Sequence, residues 1–67
     1  MLTVREWRRA KEISQAEMAK RLGVHVNTYQ NWEKKPKTIT IENGVKIAKA
    51  LEVPMNDIDF SVDEDED

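Results

Sequence analysis

The chain has 67 residues. Chains divide into separate domains only well beyond this length, so one compact unit must carry the function. The absence of cysteine excludes a disulfide framework and a thiolate zinc site. The formal net charge of −2 argues at face value against a polyanionic partner, but the charges are unevenly distributed. Five of the 13 acidic residues lie in residues 63–67, whereas residues 1–60 hold eleven basic and eight acidic side chains, a net charge of +3.

The first predicted helix covers residues 3–12. Thr3 has a side-chain oxygen that can cap its N-terminus, and Val4 and Trp7 recur at helical spacing between charged residues. One face of this helix is therefore apolar, and we expect Trp7 to belong to the core. The same expectation applies to the other aromatic residues, Tyr29, Trp32 and Phe60.

A second helix is predicted at about residues 14–22 and a third at about residues 25–33. Ser14 and Glu17 have the spacing of a capping box at the start of the second helix. Gly23 follows the last apolar residue of that helix and can adopt a positive φ without steric cost, so the helix is expected to end there. A turn of three residues then leads into the third helix.

The remaining predicted elements are a basic surface loop at residues 34–38, two helices and an acidic tail. Thr40 can cap a fourth helix, in which Gly44 costs about 1 kcal/mol relative to alanine. A short fifth helix is expected at about residues 54–59, and residues 61–67 are expected to be a disordered acidic tail. The inward positions expected in the fourth helix are Ile41, Val45, Ile47, Ala48 and Leu51.

The second and third predicted helices, joined through a turn with a glycine, have the arrangement of a helix-turn-helix. Their motifs are Ile13-Ser14-Gln15 at the start of the second helix, Met18-Ala19 in its middle, Leu22-Gly23-Val24 at the turn and Trp32-Glu33 at the end of the third helix. In these motifs the chain resembles the Cro and phage-repressor type (XRE-like) of helix-turn-helix domain. The resemblance continues to Val53 and covers about residues 3–60.

The resemblance implies an all-α fold, a compact five-helix bundle of the lambda-repressor-like DNA-binding type, with residues 1–60 as the domain. It implies that the third helix lies in the major groove of DNA. Asn and Gln side chains suit that position because an amide can both donate to and accept from adenine. The residues expected to read base edges are Val26, Asn27, Gln30 and Asn31. Those expected to bind phosphates are Gln15, His25, Thr28, Lys34, Lys35 and Lys37.

The family pattern also implies an ion pair between Arg8 and Glu33 beneath the third helix. At Glu52 the family usually has a glycine, so a different closure of the fourth helix is expected. His25 takes the place of a serine or threonine and is a weaker cap for the third helix.

Enzymatic activity is the least favoured class. Ser14 is explained as a helix cap, and the sequence has neither a second histidine nor a glycine-rich phosphate loop. His25 stands alone, without the clustered ligands that a zinc site needs, so no metal and no cofactor are expected.

The predicted function is a sequence-specific DNA-binding transcriptional regulator, a repressor of bacterial or prophage type acting in the cytoplasm. No apolar run is long enough for a membrane span. One recognition helix reads only a few base pairs, so a homodimer on a palindromic operator of double-stranded DNA is expected. Candidate residues for the dimer surface are Met55, Ile58, Phe60 and Val62, although Ile58 and Phe60 fit the core equally well. The alternative is a protein-interaction module, such as an antitoxin that binds and neutralises a partner protein, with the acidic tail as the docking element.

Overall fold

The computed structural model describes residues 1–63. The described part contains four α-helices: α1 (Val4–Ala10), α2 (Gln15–Leu22), α3 (Val26–Lys34) and α4 (Ile41–Leu51). It also contains two short 3₁₀ helices, Pro36–Thr38 and Met55–Asp57, and two parallel strands, β1 (Leu2–Thr3) and β2 (Ile58–Asp59). The all-α helix-turn-helix fold is confirmed, with four α-helices in place of the expected five.

Side-chain caps set the N-termini of α1, α2 and α4. The Thr3 hydroxyl accepts from the Glu6 amide at 3.2 Å, and the Glu6 carboxylate accepts from the Thr3 amide at 2.9 Å, a complete capping box for α1. Ser14 accepts from the Glu17 amide at 3.0 Å at the start of α2. The reciprocal half of the capping box expected there is replaced by a bond from Arg21, whose Nε lies 3.0 Å from the Glu17 carboxylate.

Three of the helices end with the same pattern of backbone hydrogen bonds. After α2, the Gly23 amide donates to the Lys20 carbonyl and the Val24 amide to the Ala19 carbonyl, while Gly23 has a φ of 69°. This is the Schellman ending, which needs one residue in the left-handed region. After α1 and α4 that residue is a glutamate, Glu12 and Glu52 respectively. The left-handed turn at Glu12 ends α1 at Ala10, earlier than the expected residue 12.

α4 is rotated relative to the expected register. Its buried residues are Gly44, Ile47, Ala48 and Leu51, whereas Ile41 is 79% exposed and Val45 38% exposed. The prediction that Ile41 and Val45 face inward was therefore wrong. The cause is tertiary, because Met55 and Phe60 lie over Gly44: a Cβ at residue 44 would be 3.0 Å from the Met55 Cε.

The prediction of a fifth α-helix over residues 54–59 was also wrong. The 3₁₀ helix at Met55–Asp57 gives way to β2, which pairs in parallel with β1 in the register Leu2 to Ile58. The strand arrangement is favoured because it buries Ile58 to 4% exposure in the core. The Trp7 indole of α1 also binds the residue before β2, since its Nε1 donates to the Asp57 carbonyl at 2.8 Å.

The core lies between α1, α2, α4 and the buried face of α3. Among the aromatic residues, Tyr29 is fully buried, while the other three are partly buried and pack against the core. No helix within residues 1–63 is both long enough and apolar enough to span a membrane. Of the tail expected to be disordered, residues 64–67 lie outside the described residues. The buried apolar residues are Val4, Met18, Ala19, Tyr29, Ile47, Ala48, Leu51 and Ile58.

Candidate functional site

α3 presents an exposed face next to the N-terminus of α2. The turn between the two helices depends on Gly23, and His25 then begins α3 with an extended backbone and no capping bond from its side chain. Residues 26–28 and 31 are exposed, including Val26 at 37%. The outward positions Asn27 and Asn31 are one helical turn apart, so their amides lie along one side of α3.

Gln30 differs from these neighbours because it is half-buried and already bonded. Its Nε2 donates to the Gln15 Oε1 at 3.1 Å. Gln15 in turn donates from its Nε2 to the Glu33 Oε1 at 3.0 Å. The structure therefore brings together three residues that the sequence assigned to separate roles in base reading, phosphate binding and the ion pair.

The buried ion pair between Arg8 and Glu33 supports α3 from below. The Arg8 Nε lies 2.6 Å from the Glu33 Oε2, and a second guanidinium nitrogen lies 3.3 Å from Oε1. Arg8 also donates to the Ile13 carbonyl at 2.8 Å, so it joins α1, the start of the helix-turn-helix and the end of α3. Two bonds in a planar fork fix the carboxylate in orientation as well as in position.

The pair determines the ionisation of its members. The hydrogen bond to Glu33 raises the pKa of Arg8, against an opposing effect of burial. Burial by itself raises the pKa of Glu33, but hydrogen bonds from Arg8 and Gln15, the nearby Tyr29 hydroxyl and the charge of Arg8 outweigh it and hold that pKa below its ordinary value. Glu33 is therefore a carboxylate at neutral pH.

Tyr29 lies in the core beside this pair. Burial, the largest cause, raises the pKa of its phenol, with the nearby Glu33 as a further cause. Its hydroxyl is close enough to influence Glu33, yet within the described residues no acceptor meets hydrogen-bonding geometry. The phenol is thus a neutral, buried group whose ring fills the space under α3.

The remaining candidates for phosphate binding lie at the two ends of α3. His25 and Thr28 are exposed near its N-terminus. At the other end, Lys34 is the last residue of α3, and Lys35 and Lys37 follow it; all three are exposed. Pro36, which lies between Lys35 and Lys37, is buried and holds this segment against the domain. The backbone amide of Lys37 donates to the Asp63 carboxylate at 3.2 Å, which places the first acidic residue of the tail beside Lys37.

Sequence reasoning did not select Arg5, which lines an open cleft between α1 and α3. The same cleft is lined by Gln15, Gln30, Glu33 and Lys34. Arg5 precedes Arg8 by three residues, so both lie on one side of α1. Because the sequence implied that Arg8 pairs with the third helix, it could also have predicted that Arg5 lies near that helix.

The candidate dimer residues do not form one exposed surface. Ile58 is not available, because it is a core residue paired with β1. Met55 and Phe60 are partly buried against the core over Gly44. Among the four candidates, Val62 alone is largely exposed, at 50%.

Comparison with protein-family models gives a match over residues 4–58, to a model described as Helix-turn-helix. Neither a curated protein nor a solved structure matches the chain. The matched residues include all four α-helices and end at the first residue of β2.

Proposed function

The chain belongs to the helix-turn-helix family of DNA-binding regulators, and from this we propose that it is a sequence-specific repressor of bacterial or prophage type. The observation that carries the proposal is the exposed face of α3, which includes Asn27 and Asn31, while Gln15 and Arg8 bind Glu33 near the end of the same helix. Exposed amides on a short helix can read base edges, provided that the helix enters the major groove.

In the proposed complex, α3 lies in the major groove and its exposed side chains read the bases. The amides of Asn27 and Asn31 can donate to adenine N7 and accept from adenine N6 at the same time. Val26, partly exposed at the start of α3, suits the methyl group of thymine. These contacts supply sequence preference.

Phosphate contacts supply the larger part of the affinity without choosing a sequence. We assign them to His25 and Thr28 near one end of α3 and to the three lysines at the other end. The positive charge is concentrated in this part of the chain, since residues 1–37 hold nine basic and four acidic side chains. We also assign a phosphate contact to Gln15, the first residue of α2, because a helix N-terminus attracts anions.

The proposed repressor acts as a homodimer on a palindromic operator. A single recognition helix reads a few base pairs, and two helices about 34 Å apart can read two half-sites separated by one turn of DNA. Val62 is the candidate of the original four that remains exposed for the dimer contact.

Selection of bound sequences from a random pool of double-stranded DNA tests the proposal. The wild-type protein is expected to enrich two inverted half-sites whose spacing reports the dimer geometry. The double substitution Asn27→Ala and Asn31→Ala is expected to remove the preference at the base pairs that these two amides read and to weaken binding, while the salt-dependent phosphate contacts remain. Asn56→Ala, which removes an exposed amide outside α3, serves as the matched control and keeps the wild-type preference. Enrichment of the same sequences by the double variant overturns the assignment of α3 as the base reader.

A further inference from the structure

We propose that Glu33 orients the amide of Gln30 through Gln15, and that this orientation makes Gln30 a reader of adenine that rejects guanine. The inference rests on the proposed function and assigns Gln15 and Glu33 as positioning residues for one base contact. Gln15 then does more than bind a phosphate, and Glu33 does more than form a structural ion pair with Arg8.

A continuous chain of hydrogen bonds runs from the buried pair to the exposed side of α3. Its three links are 2.6 Å from Arg8 to Glu33, 3.0 Å from Gln15 to Glu33 and 3.1 Å from Gln30 to Gln15. The first two residues are buried, and the two glutamines are half-buried. The chain therefore begins in the protein interior, where side chains are fixed, and ends at a side chain that can meet a ligand.

The charge of Glu33 sets the direction of every link. A carboxylate only accepts hydrogen bonds, so Gln15 must turn its NH₂ group towards Glu33. The Gln15 Oε1 then faces Gln30, which must in turn present its own NH₂ group. A free glutamine amide can rotate by half a turn and exchange its oxygen and nitrogen, but this chain of contacts selects one of the two orientations.

The selected orientation leaves Gln30 with its Oε1 and one N–H for a base. Adenine presents a donor at N6 and an acceptor at N7 in the major groove, which one oxygen and one N–H match as a bidentate pair. Guanine presents two acceptors, O6 and N7, and needs two donors. Gln30 cannot supply both donors because one of its N–H groups is committed to Gln15.

The surroundings of the chain of contacts place it at a surface suited to DNA. Gln15, Gln30 and Glu33 line the open cleft between α1 and α3 together with Arg5 and Lys34. The positive charges of Arg5 and Lys34 favour the binding of a polyanion at this cleft. Asn31, a proposed base reader, directly follows Gln30 in α3. Gln30 is therefore positioned at the edge of the proposed base-reading face.

The test is the selection from random DNA, repeated with Gln15→Met and with Gln30→Met. Methionine fills a similar volume, but it provides neither the donor nor the acceptor that links Glu33 to Gln30. Gln30→Met identifies the base pair that residue 30 reads. At that base pair, Gln15→Met is expected to reduce the preference for adenine over guanine about tenfold, with the preferences set by Asn27 and Asn31 unchanged.

A uniform loss of affinity in Gln15→Met, with every base preference retained, overturns the inference and leaves Gln15 as a phosphate contact only. The proposed function survives that result, whereas a wild-type protein without any sequence preference overturns the proposed function itself. Thermal unfolding of each variant checks that the domain is folded, and Gln15→Ala is a second variant with the same expected loss of discrimination. A retained preference in both folded variants also overturns the inference.

Discussion

At the scale of single residues, Glu12 and Glu52 have a backbone conformation that usually belongs to glycine. Their φ angles are 57° and 60°, close to the 69° of Gly23, which occupies the equivalent position after α2. A side chain with a Cβ in the left-handed region costs roughly 1–2 kcal/mol. The helix ends at these two glutamates therefore carry local strain that the ending after α2 avoids.

Replacement of Glu52 by glycine is expected to stabilise the domain by about 1 kcal/mol, because relief of the left-handed strain exceeds the entropy that glycine adds to the unfolded chain. Urea denaturation measures the change. Glu52→Ala is the matched control, since it removes the carboxylate and keeps the Cβ. An equal gain from Glu52→Ala would assign the effect to charge and contradict the backbone explanation.

At the scale of elements, the orientation of α4 depends on one small residue. Gly44 is buried, and the side chains of Met55 and Phe60 occupy the space that a larger residue would need. The low helix propensity of glycine is therefore offset by the close packing of the C-terminal segment. This packing also holds the chain that leads into β2 against the domain.

Gly44→Val is expected to destabilise the domain by about 1–3 kcal/mol, because its Cβ and methyl groups displace Met55 and Phe60. The control is Lys46→Val, which places the same β-branched side chain at an exposed position of the same helix. Thermal unfolding compares the two. A loss in Gly44→Val no larger than that in Lys46→Val would contradict the packing argument.

At the scale of the whole molecule, the Arg8–Glu33 pair connects segments that are distant in the chain. Arg8 belongs to α1, Glu33 to α3, and the Ile13 carbonyl to the connection before α2. A buried pair loses more than its mutual attraction when one member is removed, because the other charge remains buried without compensation. The orientation of α3 relative to α1 consequently depends on both charges.

Glu33→Ala is expected to lower the free energy of unfolding by about 3–5 kcal/mol. Glu42→Ala, which breaks the exposed pair with Lys46 at 3.7 Å, is the control and is expected to change the free energy of unfolding by less than about 0.5 kcal/mol.

The pH dependence of stability provides an independent test of the Arg8–Glu33 pair. Since the pKa of Glu33 is lowered on folding, its contribution is complete above the unfolded pKa and is lost as the pH falls through the lower, folded value. The difference between wild type and Glu33→Ala should therefore shrink in acid, and a difference independent of pH would contradict the ionised pair.

The sequence by itself determined the features that depend on neighbours three or four residues apart. The caps at Thr3, Ser14 and Thr40 and the glycine ending after α2 are local, so α1, α2 and α4 begin where they were predicted to begin. The motifs of residues 13–33 likewise indicated the helix-turn-helix family, because they specify two helices and the turn between them in one short segment.

Only the tertiary structure decided the features that need partners from elsewhere in the chain. The rotation of α4 follows from Met55 and Phe60, and the strand at Ile58 follows from pairing with Leu2. Gln30 donates to Gln15, which lies 15 positions earlier in the chain, and Gln15 donates to Glu33, which lies 18 positions later. The orientation of both amides depends on the charge of Glu33, which Arg8 holds in place. Residue patterns identify which side chains can form hydrogen bonds, but the folded backbone decides which of those bonds are close enough to form.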